Sequence, residues 1–348
     1  MLTSRSIPLP SLLFALFALS FATLWGCEDT GSEPRKNGGS LCEASTPPGP
    51  TCGGEESLFY VLGAIDVARP TEAEGSEARG YDLDCRSDLA CECREQKGNG
   101  ECKDFTGPDG TKGIDNQFAR LEAAIMSVLP ISAEIKKNIG EGDLLILVEL
   151  SNLDTKDISD ATDDECVTVD ILTGLVPGGG LPELDGDVLK PGQTFDIDSR
   201  SIEDMVPLVR VTATLTKGKL KAGPTTLPLT LPFGSENVEL TIQDAQLTAN
   251  VTATELSAGL LGGVLDVTET IGAVTKVEKY AEIDEVLEPL LTKFADMNPD
   301  DDNACTAVSA ALTFEGIEAK KGKVTDPPPI MDGGLPDGGA DAGSDAGN

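Results

Sequence analysis

No histidine occurs in the 348 residues of the chain. That absence removes Ser-His-Asp and Cys-His catalysis, His-ligated zinc, and the side chain that most often serves as a general base near neutral pH. Other signatures are missing as well. Gly178-Gly179-Gly180 lacks the Gly-Lys-Ser/Thr ending of a phosphate-cradling loop and reads as a flexible loop. No Gly-x-Ser-x-Gly elbow is present. Positive charge is scarce, with 26 Lys and Arg against 60 Asp and Glu and a formal net charge of −34. Such a surface repels nucleic acid and anionic membranes, so neither is expected as a partner. It attracts cations, calcium among them; colloidal repulsion outside the cell is the plainer use of the same charge. Carboxylate-only chemistry survives these exclusions, glycoside hydrolysis being one example. The expected protein is therefore not an enzyme, and the alternative is a carboxylate-dependent polysaccharide hydrolase.

What is present begins with an export signal. A short lead carrying Arg5 precedes an apolar run from Leu9 to Leu24, the pattern of a secretory leader over residues 1–26. The run is shorter than the roughly 20 apolar residues of a membrane span. It stops at Leu24-Trp25-Gly26-Cys27, where a small residue before a cysteine fits cleavage and lipidation of the Cys27 thiol. Trp25 is the residue that fits least well. Several acyl chains such as palmitate on Cys27 would hold the protein on a lipid bilayer, at about 0.8 kcal/mol per buried methylene. An outer membrane or cell surface is favoured over the inner membrane. Cleavage removes Arg5 and no acid, which leaves 25 basic and 60 acidic residues and takes the charge from −34 to −35.

Eight cysteines remain: Cys42, Cys52, Cys85, Cys91, Cys93, Cys102, Cys166 and Cys305. An even number in an exported chain reads as a disulfide framework. The expected pairs are Cys42 with Cys52 and Cys166 with Cys305, the other four pairing among themselves. A four-cysteine zinc site at Cys85, Cys91, Cys93 and Cys102 is the rival, but the spacing has no Cys-x-x-Cys knuckle.

Residues 27–57 are rich in Gly, Pro, Ser, Thr and Glu and read as a flexible tether. Residues 325–348 read as a disordered Gly, Asp and Ala tail. Between them, 58–324 reads as one mainly β domain, an antiparallel sandwich or barrel with a few helices. Leu58–Ile65 and Leu144–Val148 form apolar runs, and Val167, Val169 and Ile171 alternate with polar residues. Val238, Leu240 and Ile242 alternate on one parity; Leu247, Ala249 and Val251 alternate on the other. That switch predicts a bulge or turn near Asp244. Val308, Ala310, Leu312 and Phe314 alternate again, and Leu261-Gly262-Gly263-Val264-Leu265 reads as a close-packed strand or turn. Helical spacing marks Phe118, Leu121, Ile125 and Val128, ended by Pro130. A second helix starts near Ser132 and stops at Gly140, and a third stretch spans 268–297, broken at Pro289.

Residues 82–116 form a Cys- and Asp-rich insertion. Asp82, Asp84, Asp104, Asp109 and Asp115 are candidate calcium ligands, because calcium takes six to eight oxygens from a loop that glycine lets turn sharply. The segment is not an EF-hand: the third ligand position holds Arg86 counted from Asp82 and Pro108 counted from Asp104. The competing use places Asp109-Gly110 in a turn and Asp115 at a helix N-cap. Both readings stand on sequence alone.

Gly80-Tyr81-Asp82-Leu83-Asp84, Pro108-Asp109-Gly110-Thr111-Lys112-Gly113-Ile114-Asp115-Asn116, Gly262-Gly263-Val264-Leu265-Asp266 and Cys305-Thr306-Ala307-Val308-Ser309 resemble a family of uncharacterised secreted lipoproteins of myxobacterial type. Cys85, Cys91 and Cys93 depart from its looser pattern. The resemblance implies an exported, surface-held protein with no established activity. The expected function is a membrane-anchored binding or structural protein for an extracellular ligand, with calcium as the one cofactor suggested.

Overall fold

The computed structural model describes residues 52–70, 75–86, 89, 91, 93, 103–126, 130–233, 236–277 and 284–327. The leader, Cys27, Cys42, Cys102, Val128 and the tail from 328 lie outside them. Eight strands dominate: β1 Glu56–Val67, β2 Ile146–Leu153, β3 Asp164–Leu175, β4 Val209–Thr216, β5 Lys219–Phe233, β6 Glu236–Val251, β7 Glu255–Asp266 and β8 Cys305–Glu318. Each pairs antiparallel with its neighbours in sequence, and β8 pairs with β1, which closes a barrel. The mainly β expectation is met, as an up-and-down barrel rather than a sandwich.

The alternation in the sequence becomes the barrel interior. Tyr60, Leu150, Val167, Leu215, Leu220, Ala249, Leu256 and Phe314, one from each strand, pack in a single buried cluster. Each large apolar side chain so buried contributes about 1.5–3 kcal/mol. The one polar tip, Tyr60 Oη, donates to the Thr252 carbonyl at 2.6 Å. The parity switch falls where the sequence put it. Asp244 takes a φ of 49°, and the β6–β7 register shifts between Gln243 and Gln246.

At one end of the barrel the connections are 154–163, 217–218 and 252–254. The opposite end carries the large insertions 68–145, 176–208 and 267–304. Two of these supply the helices α1 Gln117–Ile125, α2 Ile131–Glu141, α3 Val267–Val274 and α4 Asp284–Phe294. Leu121, Ile125, Ile135 and Ile139 join Val61, Leu145 and Leu147 in a second core. α2 runs through Gly140 and ends at Gly142, whose φ of 80° makes the left-handed cap. Pro289 does not break its helix: it lies midway along α4, the helix continues through it, and the bond its N–H would make to the Glu285 carbonyl is forfeited.

The disulfide pairing differs from expectation. Cys52 bonds to Cys166 and Cys93 to Cys305, with Cα atoms 4.9 and 5.4 Å apart. Cys85 and Cys91 are disulfide-bonded too, and none of the described cysteines is a free thiol. Short-loop logic favoured Cys42 for Cys52. Instead the chain entering β1 crosses the end of β2, where Asn152 Nδ2 donates to the Gly54 carbonyl at 3.4 Å, and so reaches β3. β1 and Cys52 therefore lie partly or wholly inside the stretch read as tether.

Candidate metal centre

β8 has an incomplete neighbour. β1 pairs with it only as far as Val67 opposite Leu312, while a short strand, Met297–Pro299, pairs with residues 305–307. Between them the Ala311 carbonyl still accepts from Ala68 N at 2.9 Å, but the N–H groups of Ser309 and Ala311 have no strand partner among the described residues on that side. Buried N–H groups must be satisfied, and side chains do it here. Asp296 Oδ1 accepts from Ser309 N at 2.7 Å, and Asn116 Oδ1 accepts from Ala311 N at 3.2 Å. Ser309 Oγ donates to Asp296 Oδ2 at 2.5 Å and accepts from Gln117 N at 2.9 Å.

Asn116 is fully buried, and its amide also donates to the Ala68 and Arg79 carbonyls at 2.7 and 2.9 Å. One side chain thus fastens three chain segments. Asn116→Ala strands two buried backbone groups and one half-buried one and is expected to cost about 2–4 kcal/mol. Urea denaturation followed by far-UV circular dichroism measures it; a loss below 1 kcal/mol would show that solvent takes over these bonds.

The Gly80–Asp84 segment lies over this gap. Tyr81 rests on β7 because Gly262 has no side chain: a Cβ there would stand 2.5 Å from the Tyr81 ring. Tyr81 Oη donates to the Leu260 carbonyl at 2.9 Å. Burial raises the Tyr81 pKa to about 12, partly offset by its hydrogen bond with Thr248. Leu83 packs on Val264, Met297 and Ala307. Asp115 N donates to the Tyr81 carbonyl at 2.8 Å, and Asp115 Oδ2 accepts from Leu83 N at 2.6 Å and Asp84 N at 3.2 Å. Arg86 N donates to Asp82 Oδ1 and Asp84 Oδ1 at 3.0 and 2.9 Å. The residue that spoils an EF-hand match therefore holds two carboxylates together through its backbone.

Five carboxylates meet as a result. Ligand atoms of Asp82, Asp84 and Asp115 lie within 4.8 Å of one another, as do those of Asp104, Asp115 and Asp296. Asp84, Asp104, Asp115 and Asp296 are at most 2 % exposed, while Asp82 is half-buried. Asp115 Oδ1 is buried and, among the described residues, reaches no hydrogen-bond donor. Burial, then the charges of Asp84, Asp104 and Asp296, hold the Asp115 carboxyl well above the usual range. Asp296 is pushed up to about 8, by burial first; the Ser309 hydrogen bonds oppose the shift and Asp104 adds to it. Arg120 donates to the Lys103 carbonyl and stacks 3.9 Å over the Phe105 ring. Burial lowers its pKa, against the pull of Asp104 and Asp296.

Four of the five carboxylates singled out in the sequence converge. Asp109 does not. It is exposed in a turn, accepts from Thr111 N at 3.0 Å, and that bond lowers its pKa. The turn reading was right for Asp109. Asp115 is not an N-cap: Asn116 holds that position without a side-chain cap bond, and Asp115 serves the cluster. Asp296 is the residue the sequence reading missed. Its signal was an acid flanked by Phe294, Ala295 and Met297 at the end of an apolar stripe.

Comparison with protein-family models, curated proteins and solved structures finds no match. The functional reading rests on the chain's own geometry.

Proposed function

We propose that this chain is an exported, lipid-anchored, non-enzymatic binding or structural protein whose globular domain is completed by calcium. The carrying observation is the five-carboxylate cluster around the buried Asp115 oxygen that no donor among the described residues reaches. Uncompensated carboxylates in such a place are strongly disfavoured. The ligand atoms of each triad lie within 4.8 Å of one another, close enough for one cation with calcium–oxygen bonds of about 2.4 Å to touch all three.

The leader, Cys27 and the disulfides of the described region support export. No helix among the described residues is long and apolar enough to cross a membrane. The barrel has an apolar interior, and Arg210, Thr212, Thr214, Lys219 and Lys221 are exposed on β4 and β5. That polarity is the reverse of a lipid-embedded barrel.

Calorimetry of the purified protein tests the calcium reading. Free calcium at 100 times its Kd stabilises by about 2.7 kcal/mol, which raises Tm by about 5–10 °C over the same protein in chelator. An unchanged Tm would remove calcium from the proposal.

A further inference from the structure

We propose that the cluster holds two divalent cations bridged by Asp115; the inference deepens the calcium reading above and rests on it. The two carboxylate triads share one member, Asp115. Asp82 and Asp84 come from the segment docked by Tyr81. Asp104 lies beside the short strand Phe105–Thr106, and Asp296 lies between α4 and the strand Met297–Pro299. The triads therefore reach Asp115 from different parts of the chain.

The two oxygens of Asp115 are not equivalent. Oδ2 is occupied by two backbone N–H groups. Oδ1 has none among the described residues, in a residue only 1 % exposed. It is the atom left to bridge. A single bridging oxygen sets two ions about 4 Å apart, the separation common in two-metal sites.

Each half gathers three carboxylates, Asp115 being counted in both, and a divalent cation in each offsets the repulsion that such close carboxylates exert on one another. The halves also differ in access, since Asp82 is half-buried while every inner carboxylate is closed off. The outer ion exchanges faster.

Native mass spectrometry of the purified full chain in calcium tests this. The expected count is two calcium ions per chain for the parent, one for Asp82→Asn, one for Asp296→Asn and none for Asp115→Asn. No bound calcium in the parent would remove the calcium reading itself. A single ion in the parent, lost in either Asp82→Asn or Asp296→Asn, would keep that reading and overturn the bridged pair. Asp82→Asn changes the least buried ligand. Should Asp296→Asn fail to fold, the Asp82→Asn arm decides alone: one retained ion supports the pair, and none or two overturns it.

Discussion

Replacing Cys52 and Cys166 together by serine is expected to lower stability by about 5 kcal/mol. The bond closes a loop with a sequence separation of 114. In the chain-entropy picture, cross-linking a loop of about 100 residues restricts the unfolded ensemble by about 4.7 kcal/mol. Both residues are changed so that no lone thiol is left to mispair in an oxidising compartment. Equilibrium urea unfolding of parent and variant, both kept oxidised, gives the value. A difference under 1 kcal/mol would mean that β1 and β3 hold each other's ends without the bond.

The second large effect is expected at Phe314. Its ring is 4 % exposed and belongs to the barrel interior. Across the ladder it faces Gly259 of β7. A Cβ at Gly259 would stand 2.5 Å from the ring and equally close to the Phe314 carbonyl oxygen. The register of β7 on β8 shifts between Leu256 and Gly259, so the ring fills a corner where the barrel wall bends. Phe314→Ala removes the ring and leaves a cavity that eight hydrogen-bonded strands cannot collapse. The cost is about 3–5 kcal/mol. Gly259→Ala is expected to cost about 1–3 kcal/mol by overpacking. Combining the two should cost less than their sum, because the ring clash disappears while the carbonyl clash stays. Urea unfolding of the two single variants and the double variant completes the cycle. Strict additivity would show that ring and glycine do not share one space.

The barrel was legible because its chemistry is local. Val167, Val169 and Ile171 announce a strand by themselves, and the parity change around Asp244 announces a bulge. Phe118, Leu121 and Ile125 announce α1. Closure was not legible, since the pairing of β8 with β1 joins residues more than 200 positions apart and no periodicity encodes it. The disulfides failed for the same reason. Pro289 was read as a breaker on propensity, yet packing of Leu287 and Leu291 into the second core holds the helix together. The candidate site was half legible. Asp82, Asp84, Asp104 and Asp115 share an acidic, cysteine-bearing stretch. Asp296 enters only because the final barrel strand lacks a partner at Ser309, and that vacancy is a property of the closed sheet rather than of any segment. Asp109 resembled its neighbours in composition and differed only in being anchored to its own turn.

The crossing of Cys52 over the end of β2 has a mechanical consequence. A pull on the chain upstream of Cys52 does not reach β1 alone. It divides at the sulfur into two load paths, one down β1 and one through Cys166 into β3. Peeling β1 away from its neighbours one hydrogen bond at a time, the weakest way to open a sheet, is blocked at its first step. The force becomes a shear shared by two strands with β2 between them. The insertions and the carboxylate cluster stand at the other end of the barrel, so tension on the leading chain is borne before it arrives there.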